Sequence, residues 1–322
     1  MTGLLTFPEI EAARAGLPRE IRRTPVVPLA KCPEEVGREQ LFLKLENLQV
    51  TGAYKIRAAF HFLGSLTQAE RAQGVVLASS GNFGQGFAYA GKRLGVKVTV
   101  VTPERTSRFK VEAIRGYGAD LVFCENNFLA RAPKVQDVAR ERGMIPLDTM
   151  EDRRVAAGHS SIGLEILEDV PDVQTVIVPV GSGGLIAGVA SAIKLRAPHV
   201  RVVGAQPAAG AAMYRSLKAG EPLTIEDYQT LADALWVMRT YAFPLAHVQE
   251  RVDDIALVGE EEIADAFRVL LLRGKVLAEP AGAVPVAAYL AGRVEGAGRT
   301  VALVSGGNLN PELTAWLLAP VP

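Results

Sequence analysis

The 322 residues carry 35 Lys and Arg against 35 Asp and Glu, and 49% of the chain is hydrophobic. That balance leaves no basic excess for nucleic acid or an anionic membrane surface, and the length suffices for two α/β units or one large domain. The first residues lack a basic stretch and a sustained apolar core, and no apolar run reaches the ~18 residues of a membrane span. A cytoplasmic protein working on small molecules is therefore expected. Cys32 and Cys124 are the only cysteines. Two are too few for a thiolate metal centre or a disulfide framework, so both are expected to be small buried hydrophobes.

In chain order, apolar positions at helical spacing predict a lead-in helix over 7–22, closed by Thr24-Pro25. A short strand over 41–47 precedes Thr51-Gly52 and a helix that holds Lys55 and Arg57. From Gly74 onward, strands over 75–78, 96–101 and 120–123 alternate with helices over 84–94, 108–117 and 132–142. This is the rhythm of a parallel sheet. A further strand at 145–147 leads into a stretch expected to be irregular through Ser161, then a helix. The sheet pattern resumes at 176–180, 200–204 and 300–304. The polar run 221–227 reads as a surface crossing, and 260–273 as one amphipathic helix.

Three predicted strand ends carry chemistry. The run Val176-Ile-Val-Pro-Val stops at Gly181-Ser182-Gly183-Gly184, with a helix predicted from Leu185 to about Arg196. Glycine amides and a helix N-terminus together suit a phosphate, although glycines at such turns also serve packing alone. The run matches neither G-x-G-x-x-G nor the Walker pattern. At Ser79-Ser80-Gly81-Asn82-Phe83 a strand again meets hydroxyls and a helix start, which could bind a carboxylate or be an ordinary serine cap. Ser305-Gly306-Gly307-Asn308 ends the last strand. In parallel sheets the ligand crevice lies at the carboxyl ends of strands, so the three ends could converge there. Lys55, by pattern alone, reads as one more solvated surface lysine.

The order and spacing of these stretches resemble the fold type II enzymes that use pyridoxal 5′-phosphate, in particular the serine/threonine dehydratase and serine racemase family. The likeness runs from Lys44-Leu-Glu-Asn-Leu-Gln49 into Lys55, then through Ser79 to Gly86, Ala157-Gly158 with Ile162 to Ile166, Val180 to Gly188, Ala232-Asp233, Glu279-Pro-Ala-Gly282 and Ser305 to Asn308. The resemblance implies an α/β fold of two three-layer αβα domains with mostly parallel sheets. Residues 1–72 and 151–322 would form a large cofactor-binding domain and 73–150 a small substrate-side domain. A homodimer is implied as well.

Lys55 is implied as the lysine that joins the cofactor aldehyde and later serves as base for the Cα proton. Gly181, Ser182, Gly183, Gly184 and Leu185 would hold the phosphate, Asn82 the 3-hydroxyl and Ser305 the pyridine nitrogen, with Glu279 also at the cofactor. Ser79, Ser80, Gly81, Asn82 and Phe83 would hold the substrate carboxylate, with Ser80 also a catalytic candidate. A neutral hydroxyl at 305 makes the ring a weaker electron sink than an acidic partner would, which favours expulsion of a β-hydroxyl over transamination. The implied reaction is dehydration and deamination of a β-hydroxy amino acid such as threonine or serine to a 2-oxo acid and ammonia.

The chain departs from the family in places expected near substrate. Phe83 replaces a His, Tyr54 a Phe, His159 a Gln, and Ala234 a Gly with Trp236 close behind. A bulky β-substituent on the substrate is one implication, and a structural role for His159 is another. No carboxylate stands at Gln206 to Ala212, where family members place a divalent cation site, so no metal is expected. The sequence ends soon after Asn308, and feedback inhibition through a C-terminal regulatory domain is not expected. Ser80 keeps racemisation open, and a cofactor-binding protein without turnover is the reading from a different class.

Overall fold

The computed structural model describes residues 3–29, 41–296 and 298–318. Cys32 lies outside them. In chain order, α1 (Phe7–Ala15), β1 (Val26–Pro28) and β2 (Leu41–Leu45) lead to α2 (Lys55–Ser65) and α3 (Gln68–Gln73). A strictly alternating stretch follows: β3 (Val75–Ala78), α4 (Asn82–Leu94), β4 (Val98–Pro103), α5 (Arg108–Gly116), β5 (Asp120–Cys124), α6 (Arg131–Arg142) and β6 (Ile145–Leu147). Next come α7 (Arg153–Asp169), β7 (Thr175–Pro179), α8 (Gly184–Arg196), β8 (Arg201–Pro207) and α9 (Ala212–Ala219). The chain continues through α10 (Ala242–Arg251), β9 (Asp254–Val258), α11 (Glu260–Arg268), α12 (Pro280–Leu290), β10 (Thr300–Val304) and α13 (Pro311–Leu318).

The strands form two sheets. One has the order β5-β4-β3-β6 and is parallel throughout. The other runs β1-β2-β10-β7-β8-β9 and is parallel except for the edge strand β1. The central strands are apolar on both faces because helices cover both. In the larger sheet, Ile177, Val203, Ala302 and Val304 pack towards α11 and α12, while their neighbours Val176, Val178, Val202, Val301 and Leu303 pack towards α7, α8 and α10. In the smaller sheet, Val75, Leu77, Val98 and Val100 meet α2 and α4, and Val76 and Val101 meet α6 beside buried Cys124. These are the expected αβα layers. Among the described residues no helix is long and apolar enough to cross a membrane.

Local expectations failed in several places. The lead-in helix stops at Ala15, because Gly16 caps it and Pro18 follows within a turn. The stretch expected to be irregular through Ser161 is helical from Arg153, with Asp152 capping the amide of Arg154. Its central residues Ala156 to Ser161 are buried all round, so no polar face marks them as helical. The helix expected over 260–273 is regular only to Arg268 and then widens into a π-turn over Val269–Arg273. The two edge strands of the larger sheet, β1 and β9, and helices α3, α9, α10, α12 and α13 were not anticipated.

Buried charge binds α2 to the larger sheet. Arg57, fully buried, pairs with Glu46 at 2.8 Å and Glu165 at 2.7 Å, and Lys44, equally buried, pairs with Glu165 at 2.7 Å. Thr24 Oγ1 donates to Glu46. Burial alone would discharge these groups, but the Arg57 guanidinium holds the Glu46 carboxyl below its ordinary value, and Glu46 with Glu165 lifts Arg57 above its own. Close helix contacts add to this. A Cβ on Gly158 of α7 would lie 2.6 Å from the Ala58 Cα of α2. The start of α2, where Lys55 sits, is thus held from two sides.

Candidate active site

The carboxyl ends of β3, β4 and β7 open into one cleft of about 540 Å³. Its walls include Lys55, the loop 79–83, the glycine run 181–185, Glu279 and the segment Asp233 to Val237. Sequence positions more than a hundred residues apart therefore meet in one place. Of the residues expected at the site, all but Ser305 line the cleft. Ser305 is buried, and its carbonyl accepts from the Tyr54 amide at 3.1 Å.

The glycine run is shaped for an oxyanion. Gly183 has φ +95°, a region that favours glycine, and a Cβ there would lie 2.5 Å from Met213 and 2.9 Å from Pro244. A Cβ on Gly181 would meet the backbone of Leu235 at 3.3 Å. Gly183 also caps α8 without any side-chain hydrogen bond. The first amides of α8 consequently face the cleft with no internal partner, and the helix dipole adds positive potential.

Lys55 is the first residue of α2. Burial pulls its amine down to about 8, partly opposed by the charge of Glu279. Its Nζ donates to the Tyr54 hydroxyl at 2.5 Å and lies 4.7 Å from the Phe83 ring centroid. Burial, reinforced by Asp233, pushes the Glu279 carboxyl up to about 7 against the pull of Lys110, Lys55 and Asn82.

Asn82 sits at the centre of a polar chain. Its Nδ2 donates to Glu279 Oε1 at 2.7 Å, and its Oδ1 accepts from Asn308 Nδ2 at 2.8 Å. Asn308 also donates to the Thr51 carbonyl at 2.8 Å, and the Glu279 amide donates to the Gly306 carbonyl at 2.9 Å. The terminal Ser-Gly-Gly-Asn run thus reaches the cleft through Asn308. The two serines of the β3 loop differ. Ser79 Oγ accepts from the amides of Gly81 at 3.1 Å and Gly84 at 2.8 Å, as a helix-capping serine does. Ser80 Oγ is buried without a hydrogen-bond partner.

Three of the unusual residues cluster behind Lys55. The Tyr54 ring meets His159 edge-on at 4.6 Å, and Phe83 lies 6.0 Å from the same imidazole. His159 is buried and does not line the cleft, and burial followed by the charges of Lys55 and Arg57 keeps it neutral, well below its ordinary value. It packs the back of the site. Gln206 is occupied as an acceptor for the Tyr214 amide at 3.1 Å, and no group of three or more potential metal ligands occurs among the described residues. Sequence reading did not anticipate Arg105, Lys110, Phe128 and Arg131, which also line the cleft. They belong to exposed-looking loops and helix starts with no motif.

A phosphate-bearing aldehyde fits this arrangement. The glycine cradle has space for no side chain at 183, the amine opposite has a depressed pKa, and the Ser80 hydroxyl is unclaimed. The comparisons agree. A family model described as pyridoxal-phosphate dependent enzyme matches residues 17–306. The chain is 41% identical over 308 residues to an L-threonine ammonia-lyase of Geobacter sulfurreducens, covering 95% of this chain and 76% of that one. It is 38% identical over 311 residues to the L-threonine dehydratase catabolic TdcB of Staphylococcus aureus, covering 95% and 90%. Among solved structures, maize serine racemase matches with a TM-score of 0.91 at 31% identity, covering 98% of this chain and 96% of the other. The chain belongs to the pyridoxal-phosphate dependent enzymes, and pyridoxal 5′-phosphate is its cofactor.

Proposed function

We propose that this protein removes water from a β-hydroxy amino acid such as L-threonine or L-serine and releases a 2-oxo acid and ammonia. The observation that carries the reading is the Lys55 amine, lowered to about 8 at the wall of a cleft that also holds the glycine cradle. Likeness to an L-threonine ammonia-lyase supports the choice of reaction. When bound, pyridoxal 5′-phosphate supplies an electron sink that weakens the Cα–H bond and, after it, the Cβ–O bond.

The residues would divide the work as follows. Lys55 would hold the cofactor aldehyde and, as a neutral amine, would take the Cα proton on Nζ. Amides of Gly181 to Leu185 hold the phosphate with the α8 dipole. Amides and hydroxyls of Ser79 to Phe83 hold the substrate carboxylate, with Ser80 as the free hydroxyl and Ser79 keeping the turn in shape. Asn82, held between Asn308 and Glu279, presents its amide to the 3-hydroxyl. Ser305, as a neutral partner for the pyridine nitrogen, favours expulsion over transamination. The division at 72/73 and 150/151, a homodimer and a cytoplasmic location complete the proposal. Sedimentation velocity checks the dimer.

Screening serine, threonine and phenylserine for 2-oxo acid release tests the reading. Absence of 2-oxo acid from all three, with the cofactor bound, rejects it. One observation favours racemisation as a second activity: the unpartnered hydroxyl of Ser80 lines the cleft. It could protonate the Cα face opposite Lys55. D-serine formed from L-serine and lost in Ser80→Ala, with pyruvate still produced, would support it.

A further inference from the structure

We propose that the Tyr54 hydroxyl and the Phe83 ring form a seat for the cationic form of Lys55, and so act as positioning residues for proton transfer at Cα. The proposal rests on Lys55 as the base of the elimination reading and goes beyond it by assigning what holds the amine once it has taken the proton. When Nζ takes the Cα proton, its lone pair becomes the new N–H bond and the Cα–H electrons pass to the carbon. An ammonium is left in a buried place, where a lone cation is costly. The wall of the cleft must face it with something.

The geometry supplies that partner. Lys55 Nζ lies 2.5 Å from the Tyr54 hydroxyl, 4.2 Å from the Tyr54 ring centroid and 4.7 Å from that of Phe83. Aromatic faces within about 6 Å attract a cation, and a phenol oxygen accepts from one. Tyr54 is only 8% exposed, and burial, followed by the charge of Glu279, lifts its phenol above its ordinary value. It therefore keeps its proton and does not compete with Lys55 as base. A protonated phenol suits both states of the amine, because it donates to the lone pair of the neutral form and accepts from the ammonium. The second bond is charge-assisted and the stronger, so the seat favours the cation.

The other titratable groups around the amine leave this work to the two rings. Glu279, at the start of α12, attracts the ammonium, but burial lifts its carboxyl to about 7 and its Oε1 is held by Asn82. His159, from α7, meets Tyr54 edge-on at 4.6 Å and stays neutral, with its Nδ1 unpartnered. Arg57, further along α2, is paired with Glu46 and Glu165. Both seat residues are places where the chain departs from its family. The Phe usual before the lysine lacks the hydroxyl, and a His at 83 would, when charged, oppose the ammonium.

The test follows the pH midpoint of Lys55 through borohydride-fixed capture of pyridoxal 5′-phosphate, a readout that needs no turnover. Tyr54→Phe keeps the ring and loses the hydroxyl, and Phe83→Leu loses the second ring. Each should move the midpoint down by about half to one pH unit, because the ammonium loses part of its support. Phe83→Tyr, which restores a ring, should keep the midpoint near that of the parent. With the holoenzyme near pH 9, above the midpoint, kcat for threonine should fall about 3- to 10-fold in Tyr54→Phe with little change in KM. A midpoint that stays put or rises in either variant overturns the proposal, as does a lowered midpoint with unchanged kcat. If no β-hydroxy amino acid is turned over at all, the elimination reading fails instead, and the midpoints still decide the seat.

Discussion

The depressed pKa of Lys55 makes a quantitative prediction about cofactor capture. With the amine at about 8, roughly 10% of it is the reactive free base at pH 7, compared with roughly 0.03% for an ordinary lysine at 10.5. The site therefore gains about 300-fold in available nucleophile. Because attack needs the free amine, the rate of covalent capture should climb about tenfold per pH unit below 8 and level off above it. The assay mixes apo protein with pyridoxal 5′-phosphate between pH 6 and 10, fixes the product with borohydride and counts label, with Lys55→Ala as the blank. The charge of Glu279 opposes the depression, so Glu279→Gln should move the midpoint below that of the parent. Folding stability carries the same signature. A lysine whose folded pKa is lowered imposes a penalty that is full below about pH 8 and gone above 10.5, so the stability of the apo protein should rise through that window. A capture rate still rising at pH 10, or flat from pH 6 to 8, would refute the argument.

Three further outcomes are expected. Glu165→Ala leaves Arg57 and Lys44 buried without one of their carboxylates and should cost about 3–5 kcal/mol, read from urea midpoints at fixed cofactor concentration. Gly158→Ala drives a methyl into the Ala58 backbone and should cost about 1–3 kcal/mol in the same assay. Gly183→Ala places a side chain at φ +95° against Met213, and cofactor affinity from absorbance titration should drop by at least about tenfold, since about 1.4 kcal/mol of strain suffices. An unchanged affinity there would remove the glycine cradle from the phosphate site.

Much of the parallel architecture was legible because a strand covered on both faces must be apolar throughout. Val176 to Val178 and Val301 to Val304 carry that mark in sequence. Helix α7 was legible only in part, since Ala156 to Ser161 are small and enclosed on every side, so no amphipathic stripe survives. The glycine run 181–184 was readable as chemistry because close backbone approach demands glycine, whereas Lys55 stood out only through the order and spacing of motifs along the whole chain. Arg105, Arg131, Phe128 and Trp236 stood out in neither way: each is unremarkable in its own segment and meets the others only in the fold.

Local sequence by itself determined much of the strand and helix alternation and the glycine run after β7, because each depends on residues within a few positions of one another. The tertiary structure alone decided that Asn82 is held by Glu279 and Asn308, that Ser80 rather than Ser79 has a free hydroxyl, and that two guanidiniums share one indole. Those outcomes depend on which loop ends the crossovers bring side by side. Hydrogen bonds and charges act over a few ångströms in space, whatever the separation along the chain.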